Sequence, residues 1–144
     1  MESNHIGCGA LIYCSSTKRY LFLLRNQKRH AGSWGLVGGG VNTNESVIDA
    51  LQREIFEEIG KLDFKQIIPL EKFTSENNNF EYHTFVVTVD YEFVPYLNEE
   101  HRGYAWTFID DHPKTLHPGV WRTFNFRVIL EKIKTLESAL EIAL

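Results

Sequence analysis

The stretch GGGVNTNESVIDALQREIFEEIG, residues 38–60, decides how this chain is read. Three consecutive glycines, Gly38–Gly39–Gly40, let the backbone approach a ligand or metal closely and take dihedrals closed to other residues. Asn42–Thr43–Asn44 supplies helix-start chemistry, a helix is expected from about Glu45 to Ile59, and Gly60 stands where a left-handed C-terminal cap belongs. At ~100° per residue, Glu58 falls about 40° to one side of Glu54 and Glu57 about 60° to the other. Ile48, Leu51, Ile55 and Ile59 form an apolar stripe beside these acids, so the carboxylates crowd an arc that borders the buried face. Like charges at this spacing cost a helix roughly 0.2–0.5 kcal/mol per pair, and the C-terminal end of the helix dipole adds to the penalty. Arg53 can pair with Glu57 one turn on, but one arginine cannot neutralise three acids. A divalent cation can, and hard carboxylate oxygens suit magnesium or manganese. A solvated charged helix face is the plain alternative for the acids taken alone.

The spacing Gly39-x5-Glu45-x7-Arg53-Glu54-Ile55-x-Glu57-Glu58-x-Gly60 resembles the Nudix box at every fixed polar and glycine position over 22 residues. Trp34–Gly35–Leu36–Val37 ahead of it is similar to the family's usual entry, and Glu100–Trp106 resembles the loop and strand that often follow the central sheet. Two positions depart from the usual pattern. Lys61 follows the last glycine where an apolar residue is common, and Val37 precedes the glycines where proline is frequent. Neither position supplies a ligand.

The resemblance implies one α/β domain over residues 1–144, a Nudix-type α/β/α sandwich with a mixed β-sheet. It also implies a hydrolase that uses Mg2+ or Mn2+ to cut a phosphoric anhydride bond in a nucleotide. Glu54, Glu57 and Glu58, with the carbonyl of Gly38, are the implied metal ligands. Arg53 orients the acids, Glu45 braces the loop or acts as an outer ligand, and the general base is either Glu54 or Glu100. The plain reading of Glu99–Glu100 is a surface acidic turn.

Further out, residues 6–14 and 20–25 read as strands around the polar turn Ser15–Lys18, and 26–35 as a basic loop. A strand near 64–73, a hairpin through Ser75–Asn79, a long strand from Phe80 to about Val94, a loop over 95–103 and a strand Tyr104–Ile109 follow. Trp121, Phe124, Val128, Ile133, Leu136 and Leu140 show helical spacing, so one helix is expected from about Gly119 to Leu140. Its exposed part is available to a homodimer.

Arg25 and Arg29, with Lys28 and His30, are candidates to receive phosphate, alongside the backbone of Gly39 and Gly40. Tyr82 and Tyr104, with Trp34 and Phe80, are candidates to stack on a base, although aromatics fill cores first. His83 is placed toward the functional side of the sheet, and His117 in a turn.

A chain of 144 residues with 43% hydrophobic and 24% charged residues supports one well-filled core. The net charge of −4 argues against a nucleic-acid partner, and no basic tract favours a decapping-type hydrolase. No run spans a bilayer, no secretory signal is visible in the first 13 residues, and Cys8 and Cys14 read as buried free thiols. A reducing cytoplasm is the expected location. The substrate is expected to be a small nucleotide: a nucleoside diphosphate joined to another moiety, such as ADP-ribose, a dinucleoside polyphosphate or a nucleotide sugar. A nucleoside triphosphate is the alternative. A non-catalytic nucleotide-binding module is disfavoured because every carboxylate of the box is present.

Overall fold

The segment from Ile6 to Cys14 is apolar almost throughout, and a strand of that composition needs cover on both faces. A computed structural model describes residues 5–143; residues 1–4, the start of the segment expected to hold no secretory signal, lie outside them. Strand β1 (His5–Cys14) is the centre of the sheet. On one side it pairs in parallel with β6 (Phe80–Val89), in register from His5↔Phe80 to Cys14↔Val89. On the other it pairs antiparallel with β2 (Arg19–Arg25) along its second half and with β4 (Val37–Gly40) along its first. The short β3 (Trp34–Gly35) and β7 (His101–Thr107) extend β2, and β5 (Gln66–Thr74) extends β6. Among the described residues, seven strands thus make one mixed sheet.

Alternation along β1 separates two cores. Cys8, Ala10, Ile12 and Cys14 face helix α1 (Val47–Ile59), where Ala50, Leu51, Ile55 and Ile59 meet them. Leu11 and Tyr13 face the opposite layer, built from α2 (Pro118–Phe124) and α3 (Arg127–Ala143), through Val120, Phe124, Ile129 and Ile133. The result is the α/β/α layering that the resemblance implies. Both cysteines are buried and free. No helix among the described residues is long and apolar enough to cross a membrane.

Several boundaries differ from expectation, each for a local reason. Helix α1 begins at Val47, two residues late, because Ser46 rather than Asn42–Asn44 caps it: its Oγ accepts from Asp49 N at 3.0 Å. Gly60 has the positive φ of a cap (88°) but an extended ψ (−169°), and its N–H donates to Phe56 O. Strand β6 stops at Val89 rather than Val94 because its partner β1 ends at Cys14, where Ser15 N turns to donate to Val89 O at 2.9 Å. Strand β7 starts three residues earlier than expected, at His101, which pairs with Arg25 across a register shift in β2. The C-terminal helix is two helices. Asn125 ends α2, its backbone N–H and Nδ2 both donating to Trp121 O (3.0 and 2.7 Å). Pro118 opens α2 in the first-turn position that proline favours, with Nδ1 of His117 accepting from Gly119 N at 3.0 Å.

Replacing Ser46 by Ala removes the acceptor for Asp49 N and is expected to lower unfolding free energy by about 1 kcal/mol. Urea denaturation followed by circular dichroism, with an unchanged m-value, checks it.

Candidate active site

The end of α1 lies against β4, and glycine makes that contact possible. A Cβ at Gly38 would collide with the carbonyl oxygen of Cys8 and come within 2.8 Å of Gly9 Cα, so only glycine brings β4 this close to β1. From there Gly38 N donates to Glu58 Oε1 at 3.0 Å. A Cβ at Gly39 would occupy the place of the Glu54 carboxylate. The glycines therefore leave room for two acids between helix and sheet. Glu54 and Glu58 fall inside the buried stripe of α1, with Glu58 only 1% exposed, while Glu57 lies outside it with its side chain half exposed.

Arg53 ties the surrounding acids together. Its Nε and Nη2 donate to the two oxygens of Glu45 (both 2.9 Å), Nη2 also to Gly40 O (2.8 Å), and Nη1 to Glu54 Oε1 (2.9 Å) and more weakly to Glu57 Oε2 (3.4 Å). Glu45 also accepts from Asn42 N, so it braces the glycine loop. These bonds, Arg53's foremost, hold the Glu45 carboxyl down to about 2. Burial pushes Glu54 upward despite Arg53. Burial likewise pushes Glu58 up to about 9; the Gly38 N–H opposes this, and the charges of Glu100 and Glu54 reinforce it.

The segment before β7 folds over the same place. Tyr96 N donates to Ile59 O (3.0 Å) and Asn98 Nδ2 to Glu57 O (2.9 Å), satisfying carbonyls that the end of α1 leaves open. Asn98 Oδ1 in turn accepts from Glu100 N (2.9 Å), and Glu100 O accepts from Asn26 N (2.8 Å). Glu100 is thereby delivered to the acids: ligand atoms of Glu58, Glu100 and His101 lie within 4.8 Å of one another. The sequence gives no separate signal for His101 beyond its place after Glu100. Its Nδ1 is buried with no hydrogen-bond partner among the described residues, 3.4 Å from Glu58 Oε2, and burial, aided by the charge of Arg25, lowers its pKa to about 4. The ring is neutral near pH 7, so this contact is not an ion pair.

Arg25 ends β2 between this cluster and the other face of the sheet. Its Nη2 donates to Gln27 Oε1 (2.6 Å), its Nε is buried with no partner among the described residues, and its charge lowers the pKa of both His101 and His117. Arg29 is exposed and meets Arg25 only through its carbonyl. Beyond Arg25, on the α2 face, opens a mainly apolar cavity of about 400 Å³ bounded by Leu36, Phe73, Phe80, Tyr82, His117 and Val120. The Tyr82 ring lies over Gly7 and Gly9, where any Cβ would collide with it. Tyr104 pairs with Leu23 and so shares the α1 face, away from Tyr82. Trp34 packs at the edge of the α2-side core, and His83 bonds to Glu81 (2.6 Å) and stacks on Phe85, on the α1 side.

With this arrangement established, comparison with known proteins is direct. The family model described as NUDIX domain matches residues 3–126. A MutT NUDIX hydrolase from Burkholderia pseudomallei superposes with a TM-score of 0.65 at 29% identity, over 90% of this chain and 98% of that one. The MutT protein of Methanosarcina mazei Go1 gives 0.67 at 27% identity, over 91% and 96%. The nucleoside triphosphatase NudI of Escherichia fergusonii is 54% identical over 39 residues, which is 26% of this chain and only 28% of that protein's length. Glycine cradle, acid-bearing helix and layered sheet coincide with a match over most of the chain, and the protein belongs to the Nudix hydrolase family.

Proposed function

We propose that this protein is a divalent-metal-dependent pyrophosphohydrolase that cleaves a nucleoside diphosphate linked to a second moiety. The observation that carries this reading is the buried Glu58 carboxyl, crowded by Glu54 and Glu100 and faced by the unpartnered Nδ1 of His101. Arg53 offsets part of the Glu54 charge, but its nitrogens bond Glu45, Glu54, Glu57 and Gly40, and none of these bonds reaches Glu58 or Glu100. The carboxylate oxygens here are the hard donors that Mg2+ or Mn2+ takes, and the His101 nitrogen beside them suits Mn2+ better than Mg2+. Glu54, Glu57 and Glu58, with the Gly38 carbonyl, would hold the ion, and Glu100 and His101 close the other side. When bound, the ion supplies neutralisation of the diphosphate and Lewis-acid polarisation of the scissile bond.

The chain's own groups do the rest. Arg53 fixes the acids; Glu54 or Glu100 takes the proton of the attacking water. Gly39 and Gly40 let phosphate oxygens approach the backbone. Arg25, whose Nε lacks an acceptor among the described residues, and Arg29 receive phosphate. Tyr82 and the cavity around it hold the nucleoside. Two free, buried thiols accord with action in a reducing cytoplasm. Hydrolysis of a nucleoside triphosphate is a second reading, supported by the short, close likeness to NudI.

A panel of ADP-ribose, dinucleoside polyphosphates, nucleotide sugars, dinucleotide cofactors and nucleoside triphosphates, incubated with Mg2+ and resolved by chromatography, tests the reading; intact compounds throughout would refute it. Glu57→Gln and Glu58→Gln should each lower kcat on the order of a hundredfold or more with the fold retained. Asn98→Ala should lower kcat roughly tenfold by releasing Glu100, with little change in melting temperature.

The raised pKa of Glu58 also has a stability signature. Its folded value near 9 exceeds its unfolded value of 4.5, so without a cation the folded state binds more protons in between. Stability from this group is then lost as pH rises from about 4.5 to about 9. Melting temperatures in EDTA should fall from pH 7 to 9, and Mg2+ or Glu58→Gln should flatten that slope.

A further inference from the structure

At the end of the cavity formed by Phe73 and α2, Arg122 is held in a way that suits neither a phosphate site nor a surface ion pair. Its Nη2 donates to Glu71 Oε1 at 2.8 Å and lies 3.4 Å from Thr123 Oγ1; Thr123 Oγ1 also donates to Glu71 Oε1 at 3.0 Å. Its guanidinium lies over the Phe73 ring, 4.3 Å from the centroid. Glu71 is nearly buried, with 11% of its side chain exposed, whereas Arg122 keeps 35%. Among the described residues, Nε and Nη1 of Arg122 have no protein acceptor, and Arg122 lines the cavity.

Charge and geometry identify the occupant of this end. Glu71 neutralises Arg122, so the pair attracts an anion weakly; the phosphates belong with Arg25, which bonds the neutral Gln27 and has no carboxylate partner among the described residues. What Arg122 still offers is directional N–H donors at the rim of an aromatic slot. Phe80 and Tyr82 stack on one another at 6.1 Å with ring planes 27° apart, and Phe73 sits 6.3 Å from Phe80. A flat ring against those faces, with an acceptor edge toward Arg122, satisfies both. Guanine presents O6 and N7, both acceptors, on the edge that arginine reads best, whereas adenine sets an amino donor against the guanidinium there.

We infer that Arg122, fixed by Glu71, is a specificity-determining residue that selects guanine as the base of the nucleotide. This rests on the proposed use of the cavity for the nucleoside. Its consequence is that GDP-linked compounds are preferred to their adenosine counterparts.

Titration calorimetry of the full chain with GMP, AMP and UMP in EDTA tests the base assignment without hydrolysis. GMP should bind at least about tenfold more tightly than AMP or UMP, within the range one base-edge contact gives. Arg122→Met should erase that advantage while leaving AMP binding within about twofold. Glu71→Gln, a milder change that frees Arg122, should reduce it. Comparable or tighter binding of AMP or UMP, no GMP binding, or an advantage that survives Arg122→Met would overturn the inference. Parallel hydrolysis assays with Mg2+ on guanosine- and adenosine-linked diphosphates separate the two readings. Guanine preference in binding with no turnover refutes the proposed activity alone, and turnover without base preference refutes the base assignment alone.

Discussion

Everything at this site depends on a carboxyl group that has been taken out of water. Glu58 sits on the buried stripe of α1, where an uncompensated charge costs several kcal/mol, and the backbone N–H of Gly38 donates to it. The apolar members of the same stripe hold the helix in place, since fully burying a leucine or isoleucine contributes roughly 1.5–3 kcal/mol. The position of the acid is thus enforced by packing that has nothing to do with its chemistry. Its neighbours follow from it: glycines that let β4 and Glu54 close in, an arginine that organises the outer acids, and a loop that brings Glu100 across.

The sheet divides labour between its faces. On the α1 side, Cys8 and Ala10 pack beneath the helix that carries the acids. On the other side the intervening residues are Gly7 and Gly9, and the missing side chains make the floor on which Tyr82 lies. One strand therefore supports the charged chemistry with its even residues and the aromatic slot with its odd ones. Arg25, at the end of the adjacent strand, stands where the two meet.

What could be read from the sequence was whatever is local. The acids of α1, the arginine among them and the glycines ahead are set by helical period and short spacing, and the two central strands by their apolar runs. Helix onset is ambiguous in the sequence because Ser46 and Asn42–Asn44 are chemically equivalent caps until the loop's hydrogen bonds choose between them. The end of β6 is not legible in its own residues because a strand stops where its partner stops, and β1 ends without any mark in β6 itself. The break at Asn125 was hidden by apolar spacing that continues across it. Asn98, His101 and Arg122 make their contacts with distant segments, so no pattern near them announces those contacts.

The in-register parallel pairing of β1 with β6 has a consequence for how the molecule comes into being. β1 finds its longest partner, β6, only after β2, β3, β4, α1 and β5 have been made, and such non-local pairings are slow because loop closure precedes their reward. A nascent chain that has emerged as far as α1 already displays the acids and glycines, yet lacks the neighbour that completes the central strand. The central strand is therefore completed by the closing of the sheet and not by the emergence of α1.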